Sequence, residues 1–319
     1  MNEFMGAMGR GVQRSGVRLL RASIGTLAAL LALVATAPPA AAETGPMAYG
    51  QGLLWRIDTP GVRPSYLFGT IHLSDPRATA LPPPVTEALT ASDSLSVELV
   101  LDGATQQQLG AAMVLTGGRT LDGMIGTDLF AEVVAAARPY GLPEPALRML
   151  EPWAVMAMLS IPPEELARTM SGQPSVDQLL QNIATANGIR LHALETVTEQ
   201  VEALSGMSDA DEIEMLRQTV DQQSKVAAMI DEMVGHYVNR DIGGLHAFML
   251  EQSMGDDPAL LDRFLDRILD VRNRRMVDRM ADVMAEGNAF VAVGALHLPG
   301  DTGLLSLLEQ RGHSVSRVY

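Results

Sequence analysis

The chain has 319 residues, with 23 Lys and Arg side chains, 38 Asp and Glu side chains and a formal net charge of −15. It contains no cysteine, which excludes disulfides, thiolate zinc sites, iron–sulfur clusters and a thiol nucleophile. Because phosphate binding needs a basic face, the acidic balance predicts no nucleic-acid partner, and the 47% hydrophobic content disfavours intrinsic disorder.

The first 42 residues have the pattern of a secretory signal. Four arginines precede an uncharged run from Ala22 to Ala42, which is broken at Pro38 and ends in three alanines. The apolar core is short against the ~20 residues of a spanning helix, so we favour a cleaved signal over a retained anchor. We therefore expect residues 1–42 to be a Sec-type signal peptide cleaved near Ala42. The product is then periplasmic or secreted, with no membrane span after cleavage.

The amino-terminal half of the mature chain alternates strands and helices. Strands are predicted at 53–58 and 66–71, on either side of a Thr-Pro-Gly turn, and a further strand at 94–101. A mostly helical stretch follows over 105–170. Within it, residues 149–159 are apolar almost all round, which predicts a buried helix.

The second half continues this alternation around a long helical block. A helix over 175–187 is followed by a strand over 189–194, and helical spacing then continues through about 198–286. The last elements are predicted at 289–293 (strand), 304–310 (helix) and 315–318 (strand). Alternation at both ends predicts a single α/β (α+β) domain over 43–319. It would have a central mixed sheet and a helical insertion at about 198–286.

Two histidines occur in the same setting near opposite ends of the chain. His72 follows Gly69 by three residues at the end of a predicted strand, and His297 follows Gly294 in the same way. Ligands of open α/β sheets collect beyond the carboxyl ends of the strands, and glycine permits close backbone approach there. One such motif is a weak signal, because a lone histidine at a strand end is more often structural. The matched pair predicts that both imidazoles reach one site.

Two carboxylates share this placement. Glu98 and Glu195 each follow an apolar run that predicts a strand, so each is either an exposed residue at the rim or a functional group. Two histidines with one or two carboxylates make a complete ligand set for a divalent ion, with room for water. Mn, Co, Zn and Fe all accept such nitrogen and oxygen ligands, and the pattern does not choose among them.

Polar residues also interrupt the long helix that follows Pro258. Arg272 and Asn273 lie in the apolar stripe of this helix. Since a buried arginine must be paired, Arg272 is either in an internal ion pair or near the site, holding a carboxylate or a developing oxyanion. Asp177 begins an earlier helix, where capping and interaction with the helix dipole are its expected roles.

Together these motifs resemble the TraB/GumN family, which includes the Tiki membrane proteases, described as metal-dependent. The resemblance covers nearly all of the mature chain in order, and it rests on Tyr66–Leu73, Glu98, Pro152-Trp153, Val176–Gln178, Leu194–Thr196, Gln200, Arg272-Asn273 and Val293–Leu305. One departure is Leu296 before His297, where Gly-His is common in the family. The family is also similar to the erythromycin esterase and ChaN-like haem-binding folds.

The resemblance implies a metal set of His72, His297 and Glu98, with Glu195, Arg272 and Asn273 as supporting polar groups. The first hypothesis is therefore an exported hydrolase acting on a peptide or a small amide or ester. Glu98 or Glu195 would be its general base, and Arg272 would stabilise the oxyanion. The second is a non-catalytic periplasmic protein that sequesters a peptide or a haem-like ligand. A structural partner in an envelope system is a third.

Overall fold

A six-stranded mixed sheet is the centre of the fold. The computed structural model describes residues 47–253 and 257–319, so the predicted signal peptide lies outside the described residues. The strands are β1 (Leu54–Asp58), β2 (Ser65–Thr70), β3 (Ser94–Val97), β4 (Arg190–Ala193), β5 (Ala289–Gly294) and β6 (Ser314–Arg317). Their order is β4-β3-β5-β2-β1-β6. The pairs β4·β3, β3·β5 and β5·β2 are parallel, whereas β1 is antiparallel to both neighbours. The predicted α/β (α+β) class with a central mixed sheet is confirmed.

The central strands are buried on both faces. Every residue of β3 is buried, as are the first five of β5, which matches the continuous apolar runs expected of parallel strands covered by helices. Phe68 and Phe290 pack with ring centroids 6.1 Å apart on the paired strands β2 and β5. In this register Thr70 lies opposite Gly294, so the two G-x-x-H motifs leave adjacent strands at the same edge.

Helices cover the sheet and fill the long connections. Those before β4 are α1 (Pro76–Thr79), α2 (Pro83–Thr90), α3 (Gly103–Ala112), α4 (Leu121–Ile125), α5 (Thr127–Ala137), α6 (Glu144–Leu147), α7 (Pro152–Leu159), α8 (Pro163–Met170) and α9 (Val176–Ala186). Between β4 and β5 lie α10 (Val197–Ser205), α11 (Asp209–Gln222), α12 (Val226–Val238), α13 (Ile242–Ser253), α14 (Pro258–Leu265) and α15 (Val271–Glu286), and α16 (Leu304–Gln310) precedes β6. Helix α7 is buried at every position, as its all-round apolar sequence predicts. Within the described ranges, no helix combines the length and hydrophobicity needed to cross a bilayer.

Two differences between the predicted and observed elements lie near the polar residues of the sheet edge. The strand predicted over 94–101 ends at Val97, so Glu98 lies directly beyond the strand. The helix predicted to run unbroken from Pro258 contains one π turn, Asp266–Asp270, immediately before α15. Such turns widen a helix locally and are frequent at functional sites.

Gly69 is required by the close packing of β2 against the segment after β5. A Cβ on Gly69 would lie 2.5 Å from Leu298 Cδ1, closer than real Cβ contacts, and 3.0 Å from the Ala295 Cα atom, tighter than most of them. The Gly69 carbonyl also accepts a hydrogen bond from the Tyr237 hydroxyl at 3.0 Å. The small residue therefore lets the two motif segments touch.

We expect Gly69→Ala to lower the free energy of unfolding by about 1–3 kcal/mol, because the added methyl overpacks this contact. Urea unfolding followed by circular dichroism measures the change. Gly61→Ala is the comparison that introduces backbone strain without crowding, since Gly61 has a φ of 86° and nothing within 4 Å of its Cβ position. A Gly69→Ala protein as stable as the parent would contradict the close-packing argument.

Candidate functional site

The two motif histidines meet at the sheet edge beside Glu98. His72 lies just after β2, His297 ends a short 3₁₀ turn after β5, and Glu98 follows β3, the strand on the other side of β5. The Nε2 atoms of His72 and His297 each lie 3.8 Å from the same oxygen, Glu98 Oε1. The parallel register of three neighbouring strands therefore brings these three side chains to one place.

Asp177 fixes the orientation of His72. Its Oδ2 atom is 2.8 Å from His72 Nδ1, and its Oδ1 accepts a hydrogen bond from the Thr70 hydroxyl at 2.8 Å. An Nδ1–H that donates to Asp177 leaves the Nε2 lone pair directed towards Glu98. The capping role predicted for Asp177 is wrong, because Ser175 caps α9 in a capping box with Gln178.

His297 is oriented in the same way by a neutral partner. Its Nδ1 lies 2.6 Å from Asn273 Oδ1, while the Asn273 Nδ2 donates to the Thr302 carbonyl at 3.0 Å. The second bond identifies which end of the amide faces the ring, so His297 Nδ1 carries the proton and donates. In their uncharged forms, both imidazoles therefore direct an unprotonated Nε2 towards Glu98.

The two rings differ in their electrostatic surroundings. Burial lowers the pKa of His72, but Asp177 and Glu98 outweigh it and raise that pKa to about 9. Burial and the nearby Arg272 cation lower the pKa of His297 to about 3. His297 is therefore a neutral imidazole over the whole physiological range.

Glu98 has each carboxylate oxygen in a different role. Oε1 faces the two histidines and accepts a hydrogen bond from the Gly294 backbone N–H at 2.7 Å. Oε2 accepts from Arg272 Nη2 at 2.6 Å and from Gln200 Nε2 at 3.1 Å. Burial would raise the pKa of Glu98, but the Arg272 and His72 cations hold that pKa well below its usual range. The side chain is therefore a fixed, ionised acceptor.

Arg272 and Glu195 form the buried ion pair behind Glu98. Arg272 Nη2 lies 2.6 Å from Glu195 Oε2, Arg272 Nε donates to Glu195 Oε1 at 3.0 Å, and Nη1 donates to the Ile268 carbonyl of the π turn. Gln200 bridges the two carboxylates, because its Nε2 also donates to Glu195 Oε2 at 3.1 Å. The internal pairing expected of a buried arginine is present, and it lies within the site.

Sequence reasoning did not single out Asp177 or Gln200 as site residues. Asp177 was hidden by its position in the first turn of a helix, where acidic residues are common. Gln200 lies in the first turns of α10, which has an ordinary capping box of Thr196 and Glu199. The resemblance to a family block was the only signal for either residue.

A cavity opens beside the histidine pair. It has a volume of about 80 Å³, room for several water molecules. His72, Gln200, Arg272 and His297 line one side, and apolar side chains from the surrounding helices and from the segments after β2 and β5 line the rest. The polar groups of the site are therefore accessible to a small ligand group.

The donor set fits a divalent ion in chemistry but is more open than a closed cage. A Cβ placed on Gly294 would lie 3.2 Å from His72 Nε2 and 3.4 Å from Glu98 Oε1, so the absent side chain leaves the space between them free. Two ligands of one tetrahedral ion lie ~3.3 Å apart, less than the 3.8 Å found here. Within residues 47–253 and 257–319, no three His, Asp or Glu side chains form a ready-made metal cage.

Comparison with known proteins decides the family. The TraB/PrgY/gumN family profile matches residues 53–317. The chain belongs to this family. The match spans the sheet and all the site residues described above, so the resemblance drawn from the motifs is confirmed.

Relatives of this TraB/PrgY/gumN chain include proteins named as metalloproteases. Metalloprotease TIKI2 of Danio rerio is 27% identical over 312 residues, which cover 82% of this chain and 60% of that protein. Metalloprotease TIKI homologs of Amphimedon queenslandica and Nematostella vectensis are 22% and 24% identical, covering 83% and 86% of this chain and 61% and 69% of theirs. The chain thus spans about 60% of the length of the first two. No solved structure gives a significant match.

Proposed function

We propose that this protein is an exported, metal-dependent hydrolase with peptidase-like activity. The observation that carries the proposal is the pair of imidazoles whose Nδ1 atoms are engaged by Asp177 and Asn273, so that both Nε2 atoms face Glu98 Oε1. Histidines that ligate metals are held in this way, with the distal ring nitrogen hydrogen-bonded. The names of the relatives agree with this class of reaction, and the pattern of residues 1–42 supports export.

His72, His297 and Glu98 would hold the ion. When bound, a divalent ion lowers the pKa of its water and polarises a carbonyl oxygen. Glu98 would offer Oε1 to the ion, because Arg272 and Gln200 fix its other oxygen. Glu195 is occupied by Arg272 and Gln200, so we assign it to holding the guanidinium rather than to proton transfer. Arg272 keeps positive charge beside the site, where it favours a developing oxyanion.

The direct test combines metal analysis with a cleavage assay. The purified protein is expected to contain a divalent ion and to cleave a mixed peptide library. Removal of the ion by a chelator should abolish cleavage, and addition of Mn, Co, Zn or Fe should restore it. A protein that cleaves equally well before and after complete removal of metal would contradict the proposal.

The binding-protein alternative divides into two cases. A haem-like ligand would give a Soret shift when haem is added, and that shift would be lost in His72→Ala. A sequestered peptide would use the same cavity as a substrate. Stoichiometric retention of intact peptide by metal-loaded protein, without products, is the result that would favour sequestration.

We expect Asp177→Asn to weaken metal binding by roughly 10–100-fold, because the amide no longer supplies the anionic acceptor that orients His72. Competition with a chromogenic chelator measures this affinity. Asp231→Asn is the matched control, since Asp231 is 71% exposed at its side chain and pairs with Arg77 at the surface. Equal metal affinity of the two variants would remove Asp177 from the site.

A further inference from the structure

The cavity beside the histidines has one polar side and one aliphatic side. The aliphatic side is assembled from four separate elements between β4 and β5, which makes it a built feature rather than the stripe of one helix. Its members include Ala203 of α10, Ile230 and Met233 of α12, Leu245 of α13, and Ile268 of the π turn. We call this set the aliphatic wall.

No free charge faces the aliphatic wall among the described residues that line the cavity. Arg272 contacts Glu98 and Glu195 at 2.6 Å each, and His72 is paired with Asp177 at 2.8 Å. A carboxylate or ammonium group placed against the aliphatic wall would lose its hydration without an ion-pair partner on that wall, which is costly. An aliphatic group would instead be removed from water on entry, which is favourable.

We infer that the aliphatic wall is a subsite for one aliphatic side chain of the substrate, next to the bond that is cleaved. This inference rests on the proposed hydrolase function for its reaction and on the cavity alone for its binding preference. The volume of about 80 Å³ has room for one aliphatic side chain. The substrate class is therefore a peptide or amide that presents an uncharged aliphatic group beside the reacting carbonyl.

Binding of small probes tests the subsite without catalysis. We expect acetyl-leucinamide to bind the purified, metal-free protein at least roughly tenfold more tightly than acetyl-glutaminamide or the amide of acetyl-glutamate, as measured by NMR titration. With metal-loaded protein, peptides that differ only by Leu, Gln or Glu at one position should show a similar ranking in kcat/KM. Equal binding of the leucine and glutamate probes would overturn the inference.

Variants of the wall test its location. Ala203→Leu should fill the cavity and weaken the leucine probe roughly tenfold or more relative to acetyl-alaninamide, whereas Met233→Ala should enlarge it and improve binding of acetyl-phenylalaninamide. Met149→Ala is the matched control, since Met149 is 56% exposed and lies outside the cavity lining. If both wall variants fold and neither changes the ranking, the assignment of these residues is wrong.

The two proposals fail in different ways. If the protein binds the leucine probe selectively but cleaves no peptide, the subsite proposal stands and the hydrolase proposal is wrong. If cleavage depends on metal but shows no preference for aliphatic side chains, the hydrolase proposal stands and the subsite proposal is wrong. Absence of both selective binding and cleavage overturns both.

Discussion

The His297→Ala variant is expected to lose its bound divalent ion and with it all hydrolytic activity. His297 is 4% exposed and supplies one of the two Nε2 atoms that face Glu98, so alanine leaves a two-residue donor set. The loss of metal affinity should exceed the roughly 10–100-fold cost of removing a residue that only orients a ligand. His72→Ala is expected to behave in the same way.

Metal content by mass spectrometry and affinity by competition with a chelator measure this effect. His192→Ala is the matched control, because His192 lies exposed on the edge strand β4 and should leave metal and activity unchanged. Circular dichroism would verify that each variant is folded. Full metal content in both His72→Ala and His297→Ala would place any metal site elsewhere.

Arg272→Met is expected to lower the free energy of unfolding by about 3–5 kcal/mol. The change removes the cation that both Glu98 and Glu195, which are 6% and 2% exposed, contact at 2.6 Å, and leaves the more distant Arg275 and His72 at 3.9 Å and 3.8 Å. Breaking one side of a buried ion pair has a cost of this size, since the remaining carboxylates are poorly solvated and lose their hydrogen-bonded cation. The nearly isosteric methionine keeps most of the packing volume, so the change in the free energy of unfolding reflects the lost charge.

Chemical unfolding of Arg272→Met and Arg274→Met provides the comparison. Arg274 is on the same helix, but its side chain is 56% exposed and pairs with Asp266 at the surface. Such exposed pairs contribute less than about 1 kcal/mol, so Arg274→Met should be nearly neutral. Adding Glu195→Gln to Arg272→Met should recover part of the lost stability, because it removes one of the stranded charges. Similar stabilities for the two single variants would contradict the buried ion pair.

Local pattern was sufficient to predict the elements that carry the site. The β segments and the G-x-x-H spacing identified where His72 and His297 leave the sheet, and an arginine in an apolar stripe predicted a buried partner. What sequence could not supply was which strands are neighbours. The order β3-β5-β2 follows from long-range packing, and it alone places the Glu98 carboxylate against the Gly294 backbone.

The role of each residue in the site was harder to predict than which residues belong to it. Glu195 follows a strand as Glu98 does, and nothing local distinguishes a carboxylate that faces histidines from one that neutralises Arg272. The π turn before α15 likewise has no simple sequence signature, although its Ile268 carbonyl helps to orient the guanidinium. These distinctions depend on side-chain direction, which composition and periodicity do not encode.

The position of β5 between β2 and β3 has a consequence for biogenesis. Gly294 and Glu98 are 196 residues apart in sequence, so the sheet stays divided until the last tenth of the polypeptide has been synthesised. Before then, β2 and β3 each have an open edge of unsatisfied amides that favours association with other chains. Nascent or truncated forms lacking residues 289–294 should therefore be prone to aggregation and to capture by chaperones, and closure of the loop should be a slow, late event.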